Sequence, residues 1–183
     1  MTMFTQQFTQ YAIESAPAAS RRSMQAVTAK QGFLPAAIGL LAESPEALDG
    51  FLRMTAAFDG CTLDPLAREV VIMTIVVRNG CHLCIAMHTS RLAALGADPA
   101  VAAALRSGDP LGEGRLDAAR AFTLRVMDTT GDVGEECLAE FLGHGFTRRN
   151  ALEIVLGIGA YTLATLANRL TGAPVDEQLR AFA

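Results

Sequence analysis

The sequence has no tryptophan, two tyrosines and 6% aromatic residues overall. Strands favour aromatic and β-branched residues in alternation. Here alanine is abundant and apolar positions recur at helical spacing, so a sheet-based fold is not expected. Positive charge is scarce as well. Fifteen Lys and Arg stand against 19 Asp and Glu, a formal net charge of −4. That balance gives no electrostatic reason to bind nucleic acid. A clean apolar run of the roughly 20 residues needed to cross a bilayer is also missing. The strongest candidate, 154-IVLGIGAYTLATLA-167, reads as too short and is flanked by charge. The N-terminus, MTMFTQQFTQYA, has neither a basic n-region nor a continuous apolar h-region, so it does not read as a signal peptide. The expectation is a cytoplasmic chain with no membrane or nucleic-acid partner. Thiols are mostly reduced in that compartment, so the four cysteines do not suggest two structural disulfides.

Apolar residues are in surplus. They make up 51% of the chain before its 16 glycines are added, whereas an average domain reaches about 45–50% with glycine included. A buried core helix plus a subunit interface would hide the excess, so a homo-oligomer is expected. The 183 residues suit one domain spanning 1–183. Ser44-Pro45, Asp64-Pro65 and Asp98-Pro99 each place a capping side chain before a proline at the first helical position. Helices should close near Gly60, Gly96, Gly131 and Gly172. The pattern predicts an all-α fold of eight or so helices, near 4–14, 18–31, 35–42, 45–58, 65–78, 80–95, 114–129 and 147–171. Shorter pieces fall near 99–106, 134–143 and 175–182. The segment 106-RSGDPLGEGR-115 divides two halves, each too small to bury its own faces.

A faint internal repeat links those halves. The runs 67-AREVVIMTIVV-77 and 151-ALEIVLGIGAY-161 both carry glutamate at their third residue. Extending the register matches Cys81 with Thr165, Cys84 with Asn168 and His88 with Gly172. Two merely similar buried helices would give the same pattern. If the repeat is real, the chemistry-bearing residues lie in the first half.

Those residues fall in 78-RNGCHLCIAMH-88. Arg78-Asn79-Gly80 interrupts an apolar helix, and Asn79 is a good cap for a new one. Cys81, Cys84 and His88 then share one helix face at i, i+3 and i+7. A CxxC pair can close a small disulfide, as in dithiol oxidoreductases. Thiolate is the reactive form. The helix N-terminus favours ionisation of Cys81, whereas an imidazole one turn away favours Cys84. Spacing leaves open which sulfur attacks. Glu69, on the edge of a buried run, needs a partner. It is suited to orient His88, unless it pairs with Arg68 or another arginine or lies exposed at the helix start.

The spacing Glu69-x11-Cys81-x2-Cys84-x3-His88 resembles the signature of the alkylhydroperoxidase D-like (AhpD-like) proteins, within the carboxymuconolactone decarboxylase superfamily. The lead-in 32-GFLPAAIGLLAESPEALDGFLRM-54 is similar to that of its peroxidase-related members. The resemblance covers roughly 32–170, leaving 1–31 as a helical N-terminal extension. It implies an all-helical fold, often trimeric or hexameric, with internal duplication in some members. It also implies that Cys84 attacks a hydroperoxide, Cys81 resolves the sulfenic acid as a disulfide, and Glu69 and His88 relay the proton. An external thiol or disulfide reductant would reopen the disulfide, with no cofactor or metal. One departure stands out. Founding members carry a histidine directly before the second cysteine; this chain has Leu83 there and His82 one position earlier. On a helix that step turns the ring by about 100°, so His82 is left out of the relay.

Other readings compete. Zinc needs four ligands, and Cys81, Cys84 and His88 supply three with no second pair to complete them. A carboxymuconolactone decarboxylase-like enzyme would have no use for the dithiol. A redox sensor or adaptor would exchange disulfides without turning over peroxide itself. His144 suits a helix C-terminus, His82 an exposed first turn, Cys137 a core face and Cys61 a half-buried loop. Tyr161 and Asn168 could line the pocket, but the spacing assigns them no role.

Overall fold

A computed structural model describes residues 8–183. Among the described residues the chain is all-α, with nine α-helices and no strand. They are α1 (Ala18–Gln31), α2 (Ala36–Leu41), α3 (Pro45–Asp59), α4 (Pro65–Arg78), α5 (His82–Ala94), α6 (Pro99–Ser107), α7 (Gly114–Asp128), α8 (Glu135–Gly143) and α9 (Arg148–Thr171). The piece expected near 175–182 is a 3-10 helix, Glu177–Phe182, lying against α5.

The capping signals act as the sequence suggests. Ser44, Asp64 and Asp98 accept the backbone N–H of Ala47, Ala67 and Ala100, each with proline at the next position. α9 opens with a reciprocal pair. The Thr147 hydroxyl accepts the Asn150 N–H, and the Asn150 side chain accepts the Thr147 N–H.

α4 is the axis of the core. It is buried continuously from Glu69 to Val76 and packs against α5, α6, α7 and α9. Burial on all sides explains why it is apolar throughout instead of striped. A smaller cluster of Met24, Val27, Ile38, Ala42 and Leu48 joins α1 and α2 to α3.

Two expectations are corrected. The helix placed near 4–14 does not form over its described part: residues 8–12 are irregular and 13–15 make a turn. Residues 4–7 lie outside the described range. The Tyr11 N–H donates to the Gly39 carbonyl of α2 at 3.1 Å, so this segment is tied to a neighbour instead of coiling on itself. A side chain at Gly39 would meet the Tyr11 carbonyl oxygen at 2.8 Å, so the close approach needs glycine. Among the described residues, the helical part of the N-terminal extension is therefore α1 alone.

The second correction concerns 154–167. The run sits inside one unbroken helix of 24 residues, α9, long and apolar enough by composition to cross a bilayer. The helix expected near 147–171 is borne out, and the charges that flank the apolar run lie inside it. α9 packs on α3, α4 and α7. It carries the buried Glu153, whose carboxylate accepts from the Thr62 N–H and hydroxyl and from Asn150 and Arg149. Its opposite face leaves Leu152, Val155, Leu166 and Leu170 exposed.

Gly157 marks where α9 meets α3. An added Cβ there would come within 2.7 Å of the ring of Phe58, which is fully buried. Gly157→Ala is expected to destabilise the protein by about 1–2 kcal/mol in urea unfolding, overpacking outweighing the gain in helix propensity. Gly50→Ala, in α3 with nothing within 4 Å, is the control and should be neutral or stabilising.

Candidate active site

The site forms where the apolar helix breaks. Asn79 ends α4 with right-handed backbone angles, and Gly80 turns the chain at φ +64°. A left-handed residue is unfavourable with a Cβ. In addition, a side chain here would press on the Arg169 guanidinium. The new helix is capped not by Asn79 but by Cys81, whose sulfur accepts the Cys84 N–H at 3.4 Å. The expected cap is displaced because Asn79 is held by α9. Its Nδ2 donates to the Thr165 hydroxyl at 2.9 Å, and its carbonyl accepts from Arg169.

Cys81 and Cys84 are joined as a disulfide, with Cα atoms 5.3 Å apart. Both are buried, but only Cys84 lines the cavity that His88 also lines. The two influences separated in the sequence thus fall on different sulfurs. The helix N-terminus faces Cys81, and the cavity that His88 lines opens on Cys84.

His88 and Glu69 are 3% and 5% exposed, so neither can rely on water for its polar partner. They find each other: His88 Nδ1 lies 2.7 Å from Glu69 Oε2. Arg91 approaches the second carboxylate oxygen at 3.8 Å. Arg68 turns elsewhere, donating to the Asp59 carbonyl. Burial pushes the Glu69 carboxyl up, but the charge and hydrogen bond of His88, helped by Arg91 and Arg68, outweigh it and hold it below its ordinary value. An ionised Glu69 can only accept at Oε2, so the hydrogen of this contact is carried by His88 Nδ1.

The cavity holds about 130 Å³. Ile38, Leu41, Phe51, Leu52 and Met87 give it apolar walls, and Lys30 and Arg91 supply cations. Tyr161 meets the His88 ring edge-on, with centroids 5.2 Å apart. Burial pushes the Tyr161 phenol well above its ordinary value, so it stays protonated. Asn168 also lines the cavity, and its Nδ2 reaches Cys84 Sγ at 3.3 Å and Cys81 Sγ at 3.9 Å. This contact spans 84 residues of sequence, and only the internal register hinted at it. The remaining residues fall outside. His82 and His144 are exposed, and Leu83 is buried apolar surface. Cys61 and Cys137 are separate half-buried thiols. Burial pushes the Cys137 thiol up, which leaves it a poor nucleophile. Among the described residues no group of three or more His, Cys, Asp or Glu clusters as a metal site.

The arrangement is that of a dithiol site in an AhpD-like all-α fold. Residues 42–124 match the family model described as the Carboxymuconolactone decarboxylase family. The match covers a little under half of the chain, and the all-α fold is similar to that of AhpD-like proteins. Its fold resembles the alkylhydroperoxidase AhpD core of a peroxidase-related protein from Ralstonia eutropha JMP134, with TM-score 0.83, 22% identity and coverage of 94% of this chain and 93% of that one. A peroxidase-related protein from Silicibacter sp. TM1040 aligns with TM-score 0.78 and 19% identity over 97% of both chains. The debrominase Bmp8, in its apo form, aligns with TM-score 0.78 and 17% identity over 99% of this chain and 97% of its own. No curated protein matches the chain in sequence.

The buried pair makes stability depend on pH. Because the Glu69 carboxyl is lowered on folding, the unfolded chain binds the proton more readily on acidification. The contribution of Glu69 is fully present above the ordinary carboxylate range and is lost as pH falls through its lowered folded value. Glu69→Gln is therefore expected to lose stability at pH 7, by about 1–3 kcal/mol. Its urea midpoint should also fall less steeply than wild type between pH 5 and pH 3. Parallel profiles would mean that the pair does not hold its charge in the fold.

Proposed function

We propose that the protein is a thiol-dependent peroxidase that reduces a hydroperoxide through a Cys81/Cys84 dithiol–disulfide cycle, with Glu69 and His88 moving the proton. The observation that carries this reading is the convergence on one apolar cavity of a CxxC sulfur and an imidazole backed by a buried carboxylate. The peroxidase-related names of two structural neighbours agree with it.

In the reduced protein, His88 Nε2 takes the Cys84 proton, and Glu69 stabilises the resulting imidazolium through Nδ1–H. The Cys84 thiolate attacks the terminal oxygen of R–O–O–H. An S–O bond forms, the O–O bond breaks, and the departing alkoxide takes the proton from His88 to leave as ROH. Cys84 is then a sulfenic acid. Cys81 attacks that sulfur, the S–S bond forms, and the hydroxyl leaves as water with the Cys81 proton. The dithiol has given two electrons to the peroxide. An external thiol reductant, as a reducing cytoplasm supplies, reopens the disulfide. These steps use sulfur chemistry alone, without metal, haem or flavin.

Cys81→Ser should accumulate a dimedone-reactive sulfenic acid at Cys84 after peroxide, and Cys84→Ser should abolish turnover. Glu69→Gln and His88→Gln should each slow peroxide consumption about a hundredfold. Fast disulfide exchange with negligible peroxide consumption would turn the reading toward a redox adaptor. The family-model match keeps lactone decarboxylation as a second reading; activity surviving the loss of both cysteines would favour it.

We further propose that the protein assembles with copies of itself through the outer face of α9. Leu152, Val155, Leu166 and Leu170 are exposed there and fall within about 60° of one another around the helix. Leu166→Asp/Leu170→Asp should reduce the mass measured by sedimentation. A wild-type monomer would remove the proposal.

A further inference from the structure

We propose that Asn168 is a catalytic residue supplied by the second half of the chain: its Nδ2–H donates to Cys84 Sγ and holds that sulfur in the anionic form that attacks. The inference deepens the peroxidase reading and rests on Cys84 being the attacking sulfur. In this structure the sulfur contacted belongs to the disulfide and occupies the place of the thiolate.

Three observations carry it. The first is the contact itself, 3.3 Å from Nδ2 to Cys84 Sγ, within reach of an N–H···S hydrogen bond. Disulfide sulfur can only accept, as can a thiolate. The amide therefore makes a bond only with its amino group turned to the sulfur, which fixes its orientation in both states.

The second is how Asn168 is held. Thr165, Asn168 and Arg169 lie on one face of α9 at i, i+3 and i+4. Thr165 accepts from the Asn79 side chain, and Arg169 donates to the Asn79 carbonyl. The residues on both sides of Asn168 thus fasten α9 to the turn that carries Cys81. The amide is placed by a rigid helix, not a mobile loop, as a preorganised donor requires.

The third is the lack of another side-chain donor on the α5 turn between the sulfurs. The side chain at 82 is exposed, and Leu83 has no polar atom. The first-turn N–H of Cys84 is spent on Cys81. The internal register that matches Glu69 with Glu153 also matches Cys84 with Asn168, and the fold brings that matched pair into contact. The second half has Thr165 and Asn168 where the first has its cysteine pair, and it contributes the donor.

Thiolate formation is also influenced by the charged and titratable groups facing the cavity. These are His88 and Arg91 from α5, Glu69 from α4 behind His88, Asp59 from α3, Lys30 from α1 and Tyr161 from α9. The test must therefore isolate the amide. In the Cys81→Ser background, iodoacetamide labelling of the Cys84 peptide is followed by mass spectrometry from pH 5 to pH 10. Asn168→Ala should slow labelling at pH 7 about tenfold, the size expected for one hydrogen bond to a charged group. Isosteric Asn168→Asp, which sets a carboxylate against the sulfur, should slow it further. In both variants the alkaline plateau, where the thiolate is complete, should stay within about twofold of the parent, which shows that access and fold are intact. Profiles that superimpose on the parent in both variants overturn the inference. So does equal slowing at every pH, which marks a structural role. If the profiles shift as expected while wild-type protein consumes no peroxide, Asn168 stands and the peroxidase reading falls.

Discussion

A carboxylate and an imidazole, each nearly without water, lie 2.7 Å apart between α4 and α5. Removing either one strands the other in the core, where an unpaired charge is among the costliest defects a fold can carry. The pair therefore constrains the structure beyond its own bond. It fixes how α5 leaves the Asn79–Gly80 break, because His88 meets Glu69 only if the second helix folds back along the first. That same turn sets Cys81 at the N-cap of α5 and Cys84 toward the cavity.

α9 completes the arrangement from the other side. It runs unbroken through the register at which α4 and α5 are interrupted. Its polar residues near the break reach Asn79 and the sulfurs, and Thr165 also donates to the Thr162 carbonyl of its own helix. The two buried glutamates show how one placement serves two ends. Glu69 is matched to a titratable partner, whereas Glu153 is tied to Thr62, Asn150 and Arg149. Such a carboxylate, satisfied by fixed donors, anchors a loop; one satisfied by an imidazole can take part in proton transfer.

Much of this was legible in the residues themselves. Capping side chains followed by proline carry their own geometry, so the starts of α3, α4 and α6 could be read directly. The shared face of Cys81, Cys84 and His88 follows from helical spacing, and a glutamate in a buried run demands a partner. What escaped was tertiary. Asn79 has a strong capping propensity, but contacts from α9 claim it, and a cysteine takes the cap instead. The segment before α1 has helix-compatible residues yet is drawn into a backbone bond with Gly39. Asn168 was expected only as a residue that could line the pocket; its bond to Cys84 has no local signal, since the partner is in the other half of the chain.

The central claim is that Cys81 and Cys84 act as one two-electron unit. Intact-mass measurement of the reduced protein after one equivalent of hydroperoxide tests it most directly. The account expects the loss of two hydrogen atoms from wild type, an oxygen-bearing adduct in Cys81→Ser, and neither change at this site in Cys84→Ser. Two hydrogens lost without Cys81, or a wild-type mass unchanged while Cys61 or Cys137 gains oxygen, would contradict it.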